Sequence, residues 1–139
     1  MNRRFGQQPD PGSRYTPRPG VYAVIDAGDG ILATFQQEPR PELQLPGGGV
    51  DPGEQPLAAL YREVREETGY VIHAARRLGM FHRFTYMPEY DILAHKQCHI
   101  YLARLGPRLG EPTEPGHTAV FLPWSVAADQ LAVSGDRPF

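Results

Sequence analysis

Apolar residues fall in short runs along the chain, cut apart by glycines and prolines. Residues 21–26 (VYAVID) and 31–36 (ILATFQ) read as two strands. The AGDG between them carries turn chemistry, so the pair predicts a hairpin. Residues 38–42 (EPRPE) flank one residue with two prolines and read as a loop. Residues 43–45 form a short strand that runs into Pro46 and three glycines. The period then changes. Leu57, Leu60 and Val64 recur at helical spacing and predict a stripe packed on a sheet. Pro56 suits a first helical turn and Gly69 a left-handed stop, so a helix is predicted from 55 or 56 to Thr68. Strands at 71–77, 78–86 and 97–105 follow, with a loop over 87–96 between the last two. Residues 106–116 form a Pro/Gly-rich loop and 118–122 a further strand. Pro123 and Trp124 open a last helix that reaches about Val133, with Trp124 as its core anchor. Strands on both sides of a helix, then more strands and a second helix, predict an α/β fold: a mixed sheet covered on two faces.

Residues 1–20 hold four prolines at 9, 11, 17 and 19 in a polar setting and read as a loose or extended arm outside the core. Residues 21–139 then form a single domain, as a chain of 139 residues usually does. An arm of this kind could cross to a second copy, which leaves a homodimer open; an unattached arm is the simpler expectation.

Composition narrows the function. With 40% apolar and 22% charged residues the chain has an ordinary globular balance. A net charge of -2 gives no overall basic field, which disfavours nucleic acid as a partner. A polyphosphate would have to be neutralised locally, by a metal or a few arginines. The single cysteine, Cys98, excludes an internal disulfide and fits a reducing, cytoplasmic setting, where it reads as a small buried hydrophobe. No signal peptide and no bilayer-length apolar run is expected, so no membrane partner either.

Glu63, Glu66 and Glu67 carry the candidate chemistry. At about 100° per residue all three lie within an arc of about 100°, beside the apolar stripe. Like charges at this spacing weaken a helix, and the C-terminal end is the unfavourable end for them. A hard cation with oxygen ligands explains the choice. A solvated face balanced by Arg62 and Arg65 is the plain alternative, and helix geometry does not separate the two. Gly47, Gly48 and Gly49, just before the helix, would let backbone approach an anion closely, though a tight turn accounts for them equally well.

Residues 48–70 taken together resemble the Nudix box: Gly, five residues, Glu, seven residues, Arg-Glu, aliphatic, any, Glu-Glu, any, Gly, aliphatic. Gly48, Glu54, Arg62, Glu63, Val64, Glu66, Glu67 and Gly69 stand at those places, and Tyr70 departs from the aliphatic. The resemblance covers 23 of 139 residues. It implies an α/β/α sandwich and a hydrolase of a nucleoside diphosphate linked to another moiety, with Mg²⁺ or Mn²⁺ as cofactor and a small nucleotide-type substrate. Glu63, Glu66, Glu67 and the Gly47 carbonyl would bind metal. Glu54 and Arg62 would form an orienting pair, with Gly48 and Gly69 as structural glycines; alternatively Arg62 holds one of the acids. Glu66 and Glu67 would be catalytic, and the general base would be a box glutamate or an acid outside it. Outside it stand Glu89, Asp91, Glu111 and Glu114, of which Glu114 is favoured because relatives keep an acid in that loop. The runner-up function is a module that binds nucleotide without cleaving it; such modules often lose box acids, and here all are present.

Arg83 and the aromatics Phe84, Tyr86 and Tyr90 are the substrate candidates: a base could stack on a ring while Arg83 reaches a phosphate. Cross-strand packing is the ordinary use of such rings. His82, His95 and His99 lack tight ligand spacing and read as surface or hydrogen-bonded residues.

Overall fold

The structure is a computed structural model that describes residues 2–6, 14–38, 40–88 and 90–130. Eight strands and two helices follow in chain order: β1 (Asn2–Gly6), β2 (Thr16–Asp26), β3 (Gly30–Gln36), β4 (Glu42–Gln44), β5 (Gly47–Gly49), α1 (Pro56–Thr68), β6 (Tyr70–Met87), β7 (Ile92–Arg108), β8 (His117–Pro123) and α2 (Trp124–Gln130). The strands form one sheet in the order β1-β6-β7-β2-β3-β4, with β5 added to β2 and β8 to β3. β1 runs parallel to β6 and β2 parallel to β7, while the other pairs are antiparallel, so the sheet is mixed.

Alternation along β2 sends side chains to opposite faces. Val21, Ala23 and Ile25 join Ala59, Leu60 and Val64 of α1 in one buried cluster. Val24 turns the other way, into a cluster with Ile31, Phe81, Cys98, Ile100 and Ala127 of α2. Each fully buried Leu or Val contributes about 1.5–3 kcal/mol, so α1 is held mainly by this stripe. Its ends are local: Pro56 stands at the start, and Gly69 closes the helix at φ 80 with its N–H donating to the Arg65 carbonyl.

Several elements differ from the sequence expectation. The arm expected over 1–20 is tied into the sheet, with Thr16–Gly20 in β2 against β7 and Asn2–Gly6 pairing with β6. Pro17 and Pro19 are two apart, so both missing N–H groups fall on one edge and the other edge stays free to pair. The three glycines are a strand, pairing Gly49 with Gly20 and Gly47 with Tyr22. Strands 71–77 and 78–86 are one long strand with register shifts, and its partner β7 shortens the expected 87–96 loop to a turn. Leu57 is exposed, and Ala59 takes its place in the stripe. Trp124 is 46% exposed and anchors α2 by donating Nε1–H to the Gly28 carbonyl instead of packing in the core. The stretch of that helix expected beyond 130 lies outside the described residues. Among the described residues no helix is long and apolar enough to cross a membrane.

Candidate active site

The site forms where α1 passes the glycine strand at the edge of β2. The Glu67 side chain, 9% exposed, accepts the Gly47 N–H at 3.0 Å. Gly48 lies directly under Glu63, leaving no room for a side chain: a Cβ there would stand 2.6 Å from the Glu63 carboxyl carbon. The close fit of loop and helix is thus the reason for glycine at 48. The Gly47 N–H is already engaged, so the glycines do not form the open anion nest that their run in the sequence allows.

Arg62 organises the acids. Its Nε and Nη2 donate to the two oxygens of Glu54 at 2.8 and 2.9 Å, a bidentate clamp. Nη1 donates to Glu63 at 3.0 Å and Glu66 at 3.1 Å, and Nη2 also to the Gly49 carbonyl at 3.3 Å. Arg62 therefore contacts Glu54 and two of the box acids at once. The clamp holds the Glu54 carboxyl down at about 2 and raises the Arg62 guanidinium. Burial pushes Glu63 upward against the pull of Arg62. It pushes Glu67 to about 8, partly offset by the Gly47 N–H, with Glu63, Glu114 and Glu66 adding repulsion.

Glu114 reaches the same space from the loop before β8. The Thr113 and Glu114 N–H groups both donate to the Glu66 carbonyl at 2.8 Å, which pins that loop to the end of α1. A cavity of about 430 Å³ is bordered by Glu67, Glu114, Arg83, Lys96, His117 and Gly47. A second, of about 720 Å³, is bordered by Glu63, Glu54, Arg18, Lys96 and Tyr90. His117 escaped the sequence reading. Its Nε2 lies 3.9 Å from Glu67, its Nδ1 2.9 Å from the Thr34 hydroxyl, and burial lowers its pKa. No spacing rule marks it, because β8 brings it to Glu67 only in the folded sheet.

Of the substrate candidates, Arg83 and Tyr90 border the cavities. Phe84 does not: it stacks on His95 at 4.5 Å and meets Tyr15 edge-on at 5.3 Å. Tyr86 bonds Asp91 at 2.7 Å, away from both cavities. Asp91 and Glu111 are likewise tied elsewhere, Glu111 to Arg108, and Glu89 lies outside the described residues. His82 and His95 bond each other at 2.7 Å and His99 bonds Arg77 at 3.3 Å, the hydrogen-bonded roles expected of them.

Among the described residues no three acidic, histidine or cysteine side chains converge as a ready-made metal cage. The donor set nevertheless fits a hard divalent cation. Glu63, Glu66 and Glu67 offer oxygens on one side of α1, and the nearest basic group to the buried Glu67 is a histidine that burial keeps neutral. Added positive charge there would relieve both burial and mutual repulsion.

Fold and site together define an α/β/α sandwich with a carboxylate helix at the sheet edge. The family follows from comparison: residues 16–139 match the NUDIX domain model, and the chain belongs to the Nudix family. It is 35% identical over 101 residues to a CMP-5'-(N-acetyl-N-hydroxy-3-aminopropyl)phosphonate hydrolase of Streptomyces rubellomurinus, covering 70% of this chain and 46% of that protein. It is 42% identical over 52 residues to an RNA pyrophosphohydrolase of Halorhodospira halophila, covering 37% and 29%. The chain thus spans less than half of each of these relatives. In structure it is similar to a NUDIX hydrolase from Nitrosomonas europaea (TM-score 0.68, 21% identity, 83% of this chain and 78% of that one). It is also similar to a MutT NUDIX hydrolase from Burkholderia pseudomallei (TM-score 0.64, 25% identity, 85% and 88%).

Proposed function

We propose that the chain is a pyrophosphohydrolase that cleaves a nucleoside diphosphate linked to another moiety, with Mg²⁺ or Mn²⁺ as cofactor. The supporting observation is the placement of Glu67: buried, oriented by the Gly47 N–H, and facing one cavity with Glu114. Glu63, Glu66, Glu67 and the Gly47 carbonyl would hold the cation. When bound, it neutralises phosphate oxygens and acidifies a water. Arg62 positions Glu63 and Glu66, and Glu54 fixes Arg62. Glu114, exposed but pinned to α1, would accept the proton of the attacking water. The anhydride bond breaks, releasing a nucleotide and a phosphorylated fragment. The names of the relatives, one a pyrophosphohydrolase, agree with this class. A reducing cytosol is the setting proposed, resting on Cys98.

Glu67→Gln tests this. It keeps size and a hydrogen-bond acceptor for Gly47, and should lower kcat by about 10²–10⁴-fold while the protein stays folded. Products from nucleotide sugars, dinucleotides and triphosphates, each with Mg²⁺ and Mn²⁺, are identified by mass. Unchanged turnover removes the carboxylate mechanism. One observation favours a binding module instead: Arg62 already pairs with Glu63 and Glu66. That reading gains if nucleotides bind saturably and no metal elicits turnover.

A further inference from the structure

Three basic residues stand side by side across the sheet. Arg18 on β2 is in register with Lys96 on β7, and Lys96 with Arg83 on β6. Neighbouring strands are about 4.8 Å apart, so the row spans about 10 Å. Arg83 and Lys96 share a sheet face with the register pair Phe81 and Cys98, two residues along each strand. Like charges directly opposite across strands destabilise a sheet. Among the described residues no carboxylate stands at ion-pair distance from any of the three; the pairs that form use Arg40, Arg62, Arg108 and His117. Arg18 lies over the Tyr90 ring at 4.7 Å. The Arg83 Nε is buried without a hydrogen-bond partner. Sheet stability does not account for such a row.

Its location does. Arg18 borders the cavity that Glu63 borders, Arg83 the one that Glu67 borders, and Lys96 borders both. Acids of α1 and cations of the sheet thus face the same space. We propose that the Arg18–Lys96–Arg83 row binds the part of a phosphate chain that extends beyond the phosphates held at Glu63, Glu66 and Glu67. The substrate class is therefore a nucleotide with at least three linked phosphates, in preference to a nucleotide sugar. The proposal rests on the hydrolase reading above. A nucleotide sugar brings two phosphates, which on that reading would both sit at the acidic helix and leave the row without a counter-charge. A third phosphate supplies it. Arginine grips phosphate oxygens through its fork and lysine as a point charge.

The first test needs no metal and no turnover. Inorganic tripolyphosphate and pyrophosphate are titrated calorimetrically into the metal-free protein, its Lys96→Gln and Arg83→Gln variants, and Lys96→Arg. Wild type should bind tripolyphosphate about tenfold or more tighter than pyrophosphate, consistent with one added charge-assisted contact. The preference should shrink with added salt and in both Gln variants, and persist in Lys96→Arg. In the second test, Lys96→Gln should lower the ratio of kcat/KM for nucleoside triphosphate over nucleotide sugar by about tenfold. Equal affinity for the two polyphosphates overturns the proposal. So do losses that fall equally on both substrate classes, or variants that only lower the unfolding temperature. If nucleotide sugar is hydrolysed and tripolyphosphate gains nothing, the row fails and the hydrolase reading stands. If tripolyphosphate is preferred but no nucleotide is hydrolysed, the row stands and the hydrolase reading fails.

Discussion

Replacing Gly48 with alanine perturbs the fit between the glycine strand and Glu63. The new methyl carbon would lie 2.6 Å from the Glu63 carboxyl carbon and Oε2, and 2.8 Å from Oε1. Ordinary contact begins near 3.4 Å, so the carboxylate must retreat by about 0.8 Å. Its 3.0 Å hydrogen bond from Arg62 stretches or breaks with that retreat. A displacement near 1 Å at a reacting centre costs roughly 10²-fold in rate. The obstacle is the end of a flexible side chain, and alanine restricts the unfolded chain more than glycine, so stability should change by no more than about 1 kcal/mol. The neighbours serve as controls. Nothing lies within 4 Å of a Cβ at Gly49, so Gly49→Ala should behave as wild type. At Gly47 the added carbon would collide with the Val21 carbonyl oxygen, in a backbone at φ 152. Gly47→Ala should therefore lose about 3 kcal/mol or more. Steady-state kcat on the best substrate, with thermal unfolding of each variant, reads all three. A Gly48→Ala protein with wild-type kcat would refute the steric reasoning, and so would one that unfolds as readily as Gly47→Ala.

Arg62→Lys keeps the charge but replaces a fork with a single ammonium, so the Glu54 clamp and the restraint on Glu63 and Glu66 cannot coexist; about 1–3 kcal/mol of stability should be lost, measured by denaturant unfolding in chelator. Full retention would show that the clamp is ornamental. Gly69→Ala meets the Gly110 carbonyl oxygen at φ 80 and should cost upward of about 2 kcal/mol, read as a lower unfolding midpoint, with melting of the α1 end visible in amide exchange. Glu54 titrates near 2 in the fold against an ordinary 4.5. Its contribution is therefore complete above pH 4.5 and fades as pH falls toward 2; a stability–pH curve whose slope in that window survives Glu54→Gln would assign the acid loss to other groups.

What the sequence shows best is what local stereochemistry decides. Pro56 and Gly69 bound α1 because one fixes φ at the start and the other tolerates a left-handed stop. Glu54 and Arg62 are likewise recognisable, since a box of fixed spacing sets both. Long-range pairing is not encoded so plainly. Pro17 and Pro19 read as breakers until β7 is seen to use only the other edge of β2. Gly47–Gly49 read as a loop until β2 is found beside them, where a Cβ at Gly47 has no room. Trp124 has the composition of a core anchor, but α2 meets the sheet through Ala127. Glu114 and His117 sit far along the chain from α1, and only the loop pinned to the Glu66 carbonyl brings Glu114 near the acids. The basic row is the extreme case. Residues 18, 83 and 96 share no motif, and strand register alone makes them neighbours.

That register gives the site its logic. Each wall of the cleft is unfavourable by itself. The acid wall buries Glu67 among like charges, enough to hold its carboxyl near 8. The sheet wall lines up three cations without carboxylate partners among the described residues. Packing of α1 through Ala59, Leu60 and Val64 holds the two walls together against these penalties. The walls do not neutralise each other, because the cavities and the glycine strand stand between them. On the proposed reading, a cation bound to a phosphate chain would satisfy both at once, its positive charge toward the acids and the chain's negative charge toward the row. Neither half of that ligand does so alone. Affinity for each half should therefore rise when the other is present, with the coupling carried by charge across the cleft.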